Sequence, residues 1–191
     1  LRWLVTIARR LDPEPWRDKV RDVWLSKDRE ALRDLVRAAD VAEQRVPLLP
    51  VVAAHLKAPG GHHQGFLKRV QAAHPDDFWA NIMMAQASGT SEQAIGYYRA
   101  ALAARPGAFA VYQNLGSLLA QCGYRDEALE CWQSALEINP GASSVHVSMA
   151  ITFLHQSDFE RAIDASQQAI RLDPKLGMAY GTLGAALFYA A

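Results

Sequence analysis

The sequence predicts an all-α solenoid of antiparallel helix hairpins, and three observations carry that prediction. One phrase recurs: ALAARPGA at 101–108 returns as ALEINPGA at 135–142 and as AIRLDPKL at 169–176, so that Pro106, Pro140 and Pro174 stand 34 residues apart. A period of 34 fits two short helices plus two turns and no common strand-based repeat. Between the prolines, small and apolar residues recur at i, i+3, i+4 and i+7, which is one face of a helix. Turn-forming residues fall where each hairpin must reverse.

The opening LRWLVTIARRLDPEPWRDKVRD has a helical pattern broken at Asp12-Pro13-Glu14-Pro15, with Trp3 and Trp16 available to pack. Residues 1–45 are expected to cap the first hairpin, because an open end would expose an apolar face. EALRDLVRAAD reads as a helix within that cap. VPLLPVVAAHLK and HHQGFLKRVQAAH, separated by APGG, read as a degenerate hairpin over 46–75, weakened at its start by Pro47 and Pro50. Residues 76–191 carry the repeats: a shortened copy at 76–108, full copies at 109–142 and 143–176, and half a copy at 177–191. The shortened copy keeps Met84-Ala85, Ala94, Tyr98 and Ala101 but loses three residues between Ala85 and Ala94. Its first helix should therefore be about one turn shorter.

The copy at 109–142 is the clearest. Tyr112, Leu115, Gly116 and Leu119 form one stripe, Gly123 in CGYRDE marks the turn, and Ala128, Trp132 and Ala135 form the returning stripe. Gly116 facing Ala128 is expected to let the two backbones approach, with Tyr112 and Trp132 filling the space between hairpins. Asn139 and Asp173 precede prolines, which disfavours helical backbone there and ends each second helix. The copy at 143–176 replaces the aromatic with His146, Leu-Gly with Met149-Ala150 and the second aromatic with Ser166, while Phe153, Ala162, Ala169 and Pro174 hold the register. Tyr180, Leu183, Gly184 and Leu187 begin the next copy.

This constellation resembles the tetratricopeptide repeat (TPR) family, whose signature is an aromatic, Leu-Gly and Tyr in the first helix and Ala, an aromatic, Ala and Pro in the second. The resemblance implies a right-handed solenoid whose first helices line a concave, partner-binding side. LRWLVTIARRLDPEPWRD and HPDDFW add a second resemblance, to the TPR-containing region that follows the catalytic domain in large bacterial serine/threonine protein kinases. It implies a regulatory or partner-recruiting role; the alternative is a free-standing TPR scaffold. No Gly-rich phosphate loop, HRD or DFG occurs in these 191 residues, so no catalytic residue is assigned and the fragment itself is read as non-enzymatic.

Read by period, the first helices give columns of candidate contact residues. Gln113 aligns with Val147 and Gly181, Asn114 with Ser148 and Thr182, Ser117 with Ile151 and Ala185, and Gln121 with His155 and Tyr189. Trp79, Ile82 and Met83 take the equivalent side of the shortened copy. Some TPR proteins clamp a terminal carboxylate with Lys, Arg and Asn on this surface, but only Asn114 is of those types here, so a carboxylate clamp is not expected. The expected ligand is instead a protein segment or peptide with small apolar side chains, held by Gln113 and Asn114 through its backbone and by Val147 and Ile151 through its side chains.

Other chemistry finds little support. His55, His62, His63 and His74 cluster in the sequence, but neither Cys nor carboxylate completes a zinc set, and the Gly60-Gly61-His62-His63 stretch reads as a surface loop. Neither metal nor cofactor is expected. Ser143-Ser144 with His146 has the types of a nucleophile and base, yet a place at a helix start favours capping. Cys122 and Cys131 lack CxxC spacing and read as reduced, inert thiols of a cytoplasmic protein.

The formal charge is zero overall but +5 over residues 1–75 and −5 over 76–191. The basic residues are interspersed with acids, which does not fit a nucleic-acid site. No apolar run approaches the ~20 residues of a membrane span, and no secretory signal opens the chain. Leu1 in place of Met, and the halt at LFYAA within a repeat, suggest cuts in a longer polypeptide. The last helix lacks a polar outer face, so self-association through it, or its displacement, is expected.

Overall fold

The computed structural model describes residues 2–12, 14–26, 28–44 and 62–191, and among the described residues there are eleven α-helices and no strand. The chain divides into two compact units, Leu1–Ser88 and Gly89–Ala191.

The first unit contains α1 (Arg2–Leu11), α2 (Pro15–Ser26), α3 (Arg29–Arg37), α4 (His62–Ala73) and α5 (Phe78–Ala87). The DPEP break is a helix start: Pro15 takes the first helical position, where its missing N–H costs nothing. The Glu14 carboxylate accepts from the backbone N–H groups of Trp16 (3.1 Å) and Arg17 (2.7 Å). Arg17 and Arg21 pair with Asp12 at 3.0 and 3.1 Å, and Arg21 reaches Asp18 at 2.7 Å. Arg9 joins through Asp18 and Asp22. Much of the charge of this basic half is thus spent internally.

Burial of Val20, Leu32 and Val36 gives the first unit part of its core. Trp16 Nε1 donates to the Leu35 carbonyl at 3.0 Å, tying α2 to α3. Asp28 caps the start of α3 through the Glu30 and Ala31 N–H groups. At the other end, Arg69 of α4 donates to the Val36, Arg37 and Ala39 carbonyls, satisfying acceptors that a helix leaves open at its C-terminus. The first helix of the expected 46–75 hairpin lies outside the described residues, as does His55. Its second helix is α4, which corrects one expectation: His62 and His63 begin a helix instead of occupying a loop.

HPDDFW is also a helix start. The Asp77 side chain accepts from Trp79 N–H (2.7 Å) and Ala80 N–H (3.0 Å), and the buried Asn81 donates to the Pro75 and Asp77 carbonyls. The resulting α5 has 10 residues, against 13 in each first helix of the two full copies. The deficit is just under one 3.6-residue turn.

The second unit contains α6 (Ser91–Ala104), α7 (Phe109–Gln121), α8 (Arg125–Ile138), α9 (Ser143–His155), α10 (Phe159–Leu172) and α11 (Gly177–Ala190). The pairs α7/α8 and α9/α10 are the hairpins of the two full copies. The pre-proline residues Asn139 and Asp173 leave the helical region, at φ/ψ −135/88° and −140/94°. Each hairpin reverses through a residue with positive φ, Gly123 at 87° and, one period on, Ser157 at 58°. Glycine adopts that region freely and serine does so at a modest cost.

The stripes meet as their spacing requires. Leu115, Leu119, Ala128, Trp132 and Ala135 are all at most 2% exposed. The nearest neighbours of Gly116 are indole atoms of Trp132. A methyl group placed on Gly116 would lie 2.6 Å from Trp132 Nε1 and 2.8 Å from its Cδ1, so the glycine is the floor on which the indole rests. In the next copy the same two positions hold Ala150 and Ser166, both fully buried, a small residue now standing where the indole was.

Between the full hairpins and α11, Val147, Ala169 and Ala179 form one buried layer, and Phe153, Ala162 and Ala186 another. Those layers seat α11 in place instead of leaving it displaced. Its outward face is open: Met178, Tyr180, Leu187, Phe188 and Tyr189 are each at least half exposed.

Candidate functional site

The first helices α7 and α9, one period apart, present their free faces side by side, and a pocket of about 420 Å³ lies where they meet α8. From α7 it is lined by Ser117, Ala120 and Gln121, and from α9 by Ser148, Ile151, Thr152 and His155. Arg125 and Trp132 of α8 complete it, and none of these lining residues is acidic.

Periodicity positions the α7 and α9 contributions. Ser117 and Ile151 share one register position and Gln121 and His155 another; Ile151 also packs against the layer of Val147, Ala169 and Ala179. The serines are held by their own helices: Ser117 Oγ donates to the Gln113 carbonyl at 3.0 Å, and Ser148 Oγ to the Ser144 carbonyl at 3.2 Å. Trp132 Nε1 donates to the same Gln113 carbonyl at 3.4 Å. The rim is braced between repeats, since Gln113 Nε2 donates to Ser144 Oγ (3.2 Å) and Gln156 Nε2 to Asp126 Oδ1 (2.9 Å).

Of the fifteen residues placed in those columns and on the equivalent side of the shortened copy, the pocket gathers five: Ser117, Gln121, Ser148, Ile151 and His155. Gln113 stands beside it as a brace, and Asn114 is exposed outside the lining. Three expectations fail, because Val147, Thr182 and Met83 are buried. Val147 is 3% exposed inside the layer with Ala169 and Ala179, so it is core and unavailable to a ligand. Thr182 is 7% exposed, its hydroxyl donating to the Met178 carbonyl at 2.8 Å. The adjoining hairpin covers positions that the pattern of one helix leaves open. Trp79, Ile82 and Met83 belong to the first unit, where Trp79 is exposed, Ile82 half-buried and Met83 buried.

Sequence columns drawn on first helices missed Arg125, Trp132 and Thr152. Arg125 brings a guanidinium to a groove expected to be neutral. Its signal was available, because it opens the second helix directly after the reversing turn that faces this side.

The remaining candidates have structural roles or none. His74 Nε2 lies 2.8 Å from the Val41 carbonyl, which holds the chain after α3. Among the described residues, no group of three or more His, Cys, Asp or Glu is placed to hold a metal. Ser143 and Ser144 do not cap α9: the cap position is Ala142 and carries no side-chain hydrogen bond. His146 is instead half-buried, and burial, aided by the Arg171 charge, lowers its pKa. Cys122 and Cys131 are free and half-buried, with burial raising the Cys131 pKa away from a reactive thiolate. No helix among the described residues is long and apolar enough to cross a membrane.

The family model described as "Tetratricopeptide repeat" matches residues 109–142. The chain carries a tetratricopeptide repeat. Solved TPR-type structures extend the likeness over most of its length. YrrB, described as a TPR protein with an unusual peptide-binding site, superposes with a TM-score of 0.72 at 17% identity, covering 93% of this chain and 96% of that one. A MamA protein gives 0.69 at 17% identity, covering 76% and 82%, and MamA from Desulfovibrio magneticus RS-1 gives 0.68 at 19% identity, covering 80% and 86%. At these identities the likeness establishes the TPR fold. No curated protein matches the chain.

Proposed function

We propose that the chain is a non-catalytic protein-interaction module that binds a peptide segment of its partner on the α7/α9 surface. The observation that carries this reading is the pocket itself: side chains one repeat apart converge on a cavity of about 420 Å³, within the range of about 300–1,000 Å³ typical of ligand sites. The description of YrrB as having a peptide-binding site supports the class of ligand. The resemblance of LRWLVTIARRLDPEPWRD and HPDDFW supports a role as the partner-recruiting region of a bacterial, cytoplasmic serine/threonine kinase, with a free-standing TPR scaffold as the rival. The open apolar face of α11 supports self-association as a second contact.

The test is capture of partners from an extract of the source cells by the chain and by a Gln121→Glu/His155→Glu variant. Both positions are exposed, so the fold should survive, which circular dichroism checks. A partner lost only with the variant supports the pocket; equal capture by both places recognition elsewhere. Val147 is unsuitable for this purpose, because a charge in that buried layer would unfold the hairpin.

A further inference from the structure

Resting on the peptide-binding reading, we infer that the pocket selects an acidic residue, a glutamate side chain inside the bound peptide. Arg125 opens onto this pocket from the start of α8. Its side chain has no ion-pair or hydrogen-bond partner among the described residues, whereas other arginines of this unit are engaged: Arg99 pairs with Glu127 at 2.5 Å, Arg161 with Asp158 at 2.5 Å, and Arg171 donates to Gln168 Oε1 at 2.8 Å. A guanidinium opening on a pocket with no acidic lining has its charge uncompensated, and a carboxylate is the group that its donor fork fits best.

A second, independent observation concerns Thr152. It is 3% exposed and lines the pocket, and among the described residues its hydroxyl makes no hydrogen bond. Thr182 and Ser166, equally buried in helices, each donate to the carbonyl four residues back. The Thr152 oxygen is also not among the buried polar atoms sealed from solvent without a partner. Its remaining outlet is the pocket, where it is a donor held in place by its own burial. Gln121 and His155 add further polar groups at the mouth.

The apolar lining decides between forms of carboxylate. Ile151 and the Trp132 indole flank the polar groups, so the ligand that satisfies the whole surface carries its charge on a short methylene stem. That describes a glutamate side chain better than a chain terminus. Aliphatic stem against Ile151 and Trp132, carboxylate toward Arg125 and Thr152, is the arrangement inferred. It replaces the small apolar ligand that the sequence columns suggested, since Val147 is buried and Arg125 is present.

The test uses the whole chain and a library of random heptapeptides displayed between flanking protein sequence, so that no free carboxyl terminus is offered. Glutamate should be enriched at one position of the selected peptides. Synthetic copies should bind roughly tenfold or more weakly after Glu→Gln, as loss of a charge-assisted pair implies. Arg125→Gln should cost a similar factor against the parent peptide and little against the Gln peptide. Arg125→Lys, which keeps the charge but not the fork, should be intermediate.

Binders indifferent to Glu→Gln would overturn the inference while leaving peptide binding intact. Binding of the Gln peptide only when it ends in a free carboxylate would overturn the side-chain assignment in favour of a chain terminus. If no peptide is enriched over a Gln121→Glu/His155→Glu control, the inference and the peptide reading both fall.

Discussion

Replacing Gly116 with alanine isolates the contact on which the first full hairpin closes. In an open helix interior the change is favourable by about 1 kcal/mol, because glycine is the poorer helix former. Gly184, one repeat pair later, supplies that reference: it lies in α11 and a methyl group there meets nothing within 4 Å. At Gly116 the added methyl falls 2.6, 2.8 and 2.9 Å from three indole atoms of Trp132. The indole is 2% exposed and must shift toward the pocket it lines, so a steric cost of about 1–3 kcal/mol is expected. Gly116→Ala should therefore be neutral to destabilising by about 2 kcal/mol, and Gly184→Ala stabilising by about 1 kcal/mol. Equilibrium urea unfolding followed by both circular dichroism and tryptophan fluorescence reads the difference, with two probes because repeat arrays can unfold in parts. Trp132→Leu in the Gly116→Ala background should recover part of the steric term in a double-mutant cycle. Equal stabilisation by the two alanines would refute the claim that Trp132 rests on Gly116.

Two further outcomes are expected. Burial, then the Arg171 charge, lowers the His146 pKa below its ordinary 6.5, so the unfolded chain binds the proton more readily than the folded one. Stability is fully present above pH 6.5 and is lost as pH falls from there through the folded pKa. His146→Asn should flatten that step in a melting-temperature profile, while the Asp158 contribution, whose pKa is lowered first by the Arg161 side-chain hydrogen bond, is lost only below about 3.8. The exposed Leu187 and Phe188 on α11 should drive concentration-dependent association, read by sedimentation velocity. Leu187→Glu/Phe188→Glu should shift the chain to monomer, and a parent chain monomeric throughout would defeat that reading.

The sequence by itself determined the elements and their order. Helix ends at Asn139 and Asp173, the reversal at Gly123, the stripes of Leu115, Leu119, Ala128 and Ala135, and the shortened α5 all follow from backbone preference and spacing within a few residues. Those are local properties, and a 34-residue period repeats them until they are unmistakable. Tertiary structure alone decided which side chain meets which. Val147 and Thr182 stood in the same set of columns as the pocket residues, yet packing against adjacent helices buries them. Arg125 and Thr152 lay outside or between the columns, yet α8 and α9 bring them to one cavity. Trp132 supplies the atoms nearest to Gly116, a contact that no single-helix pattern gives. The physical reason is the same in each case: the pattern of one helix defines which way a residue points, while packing of adjacent hairpins defines whether anything is already there.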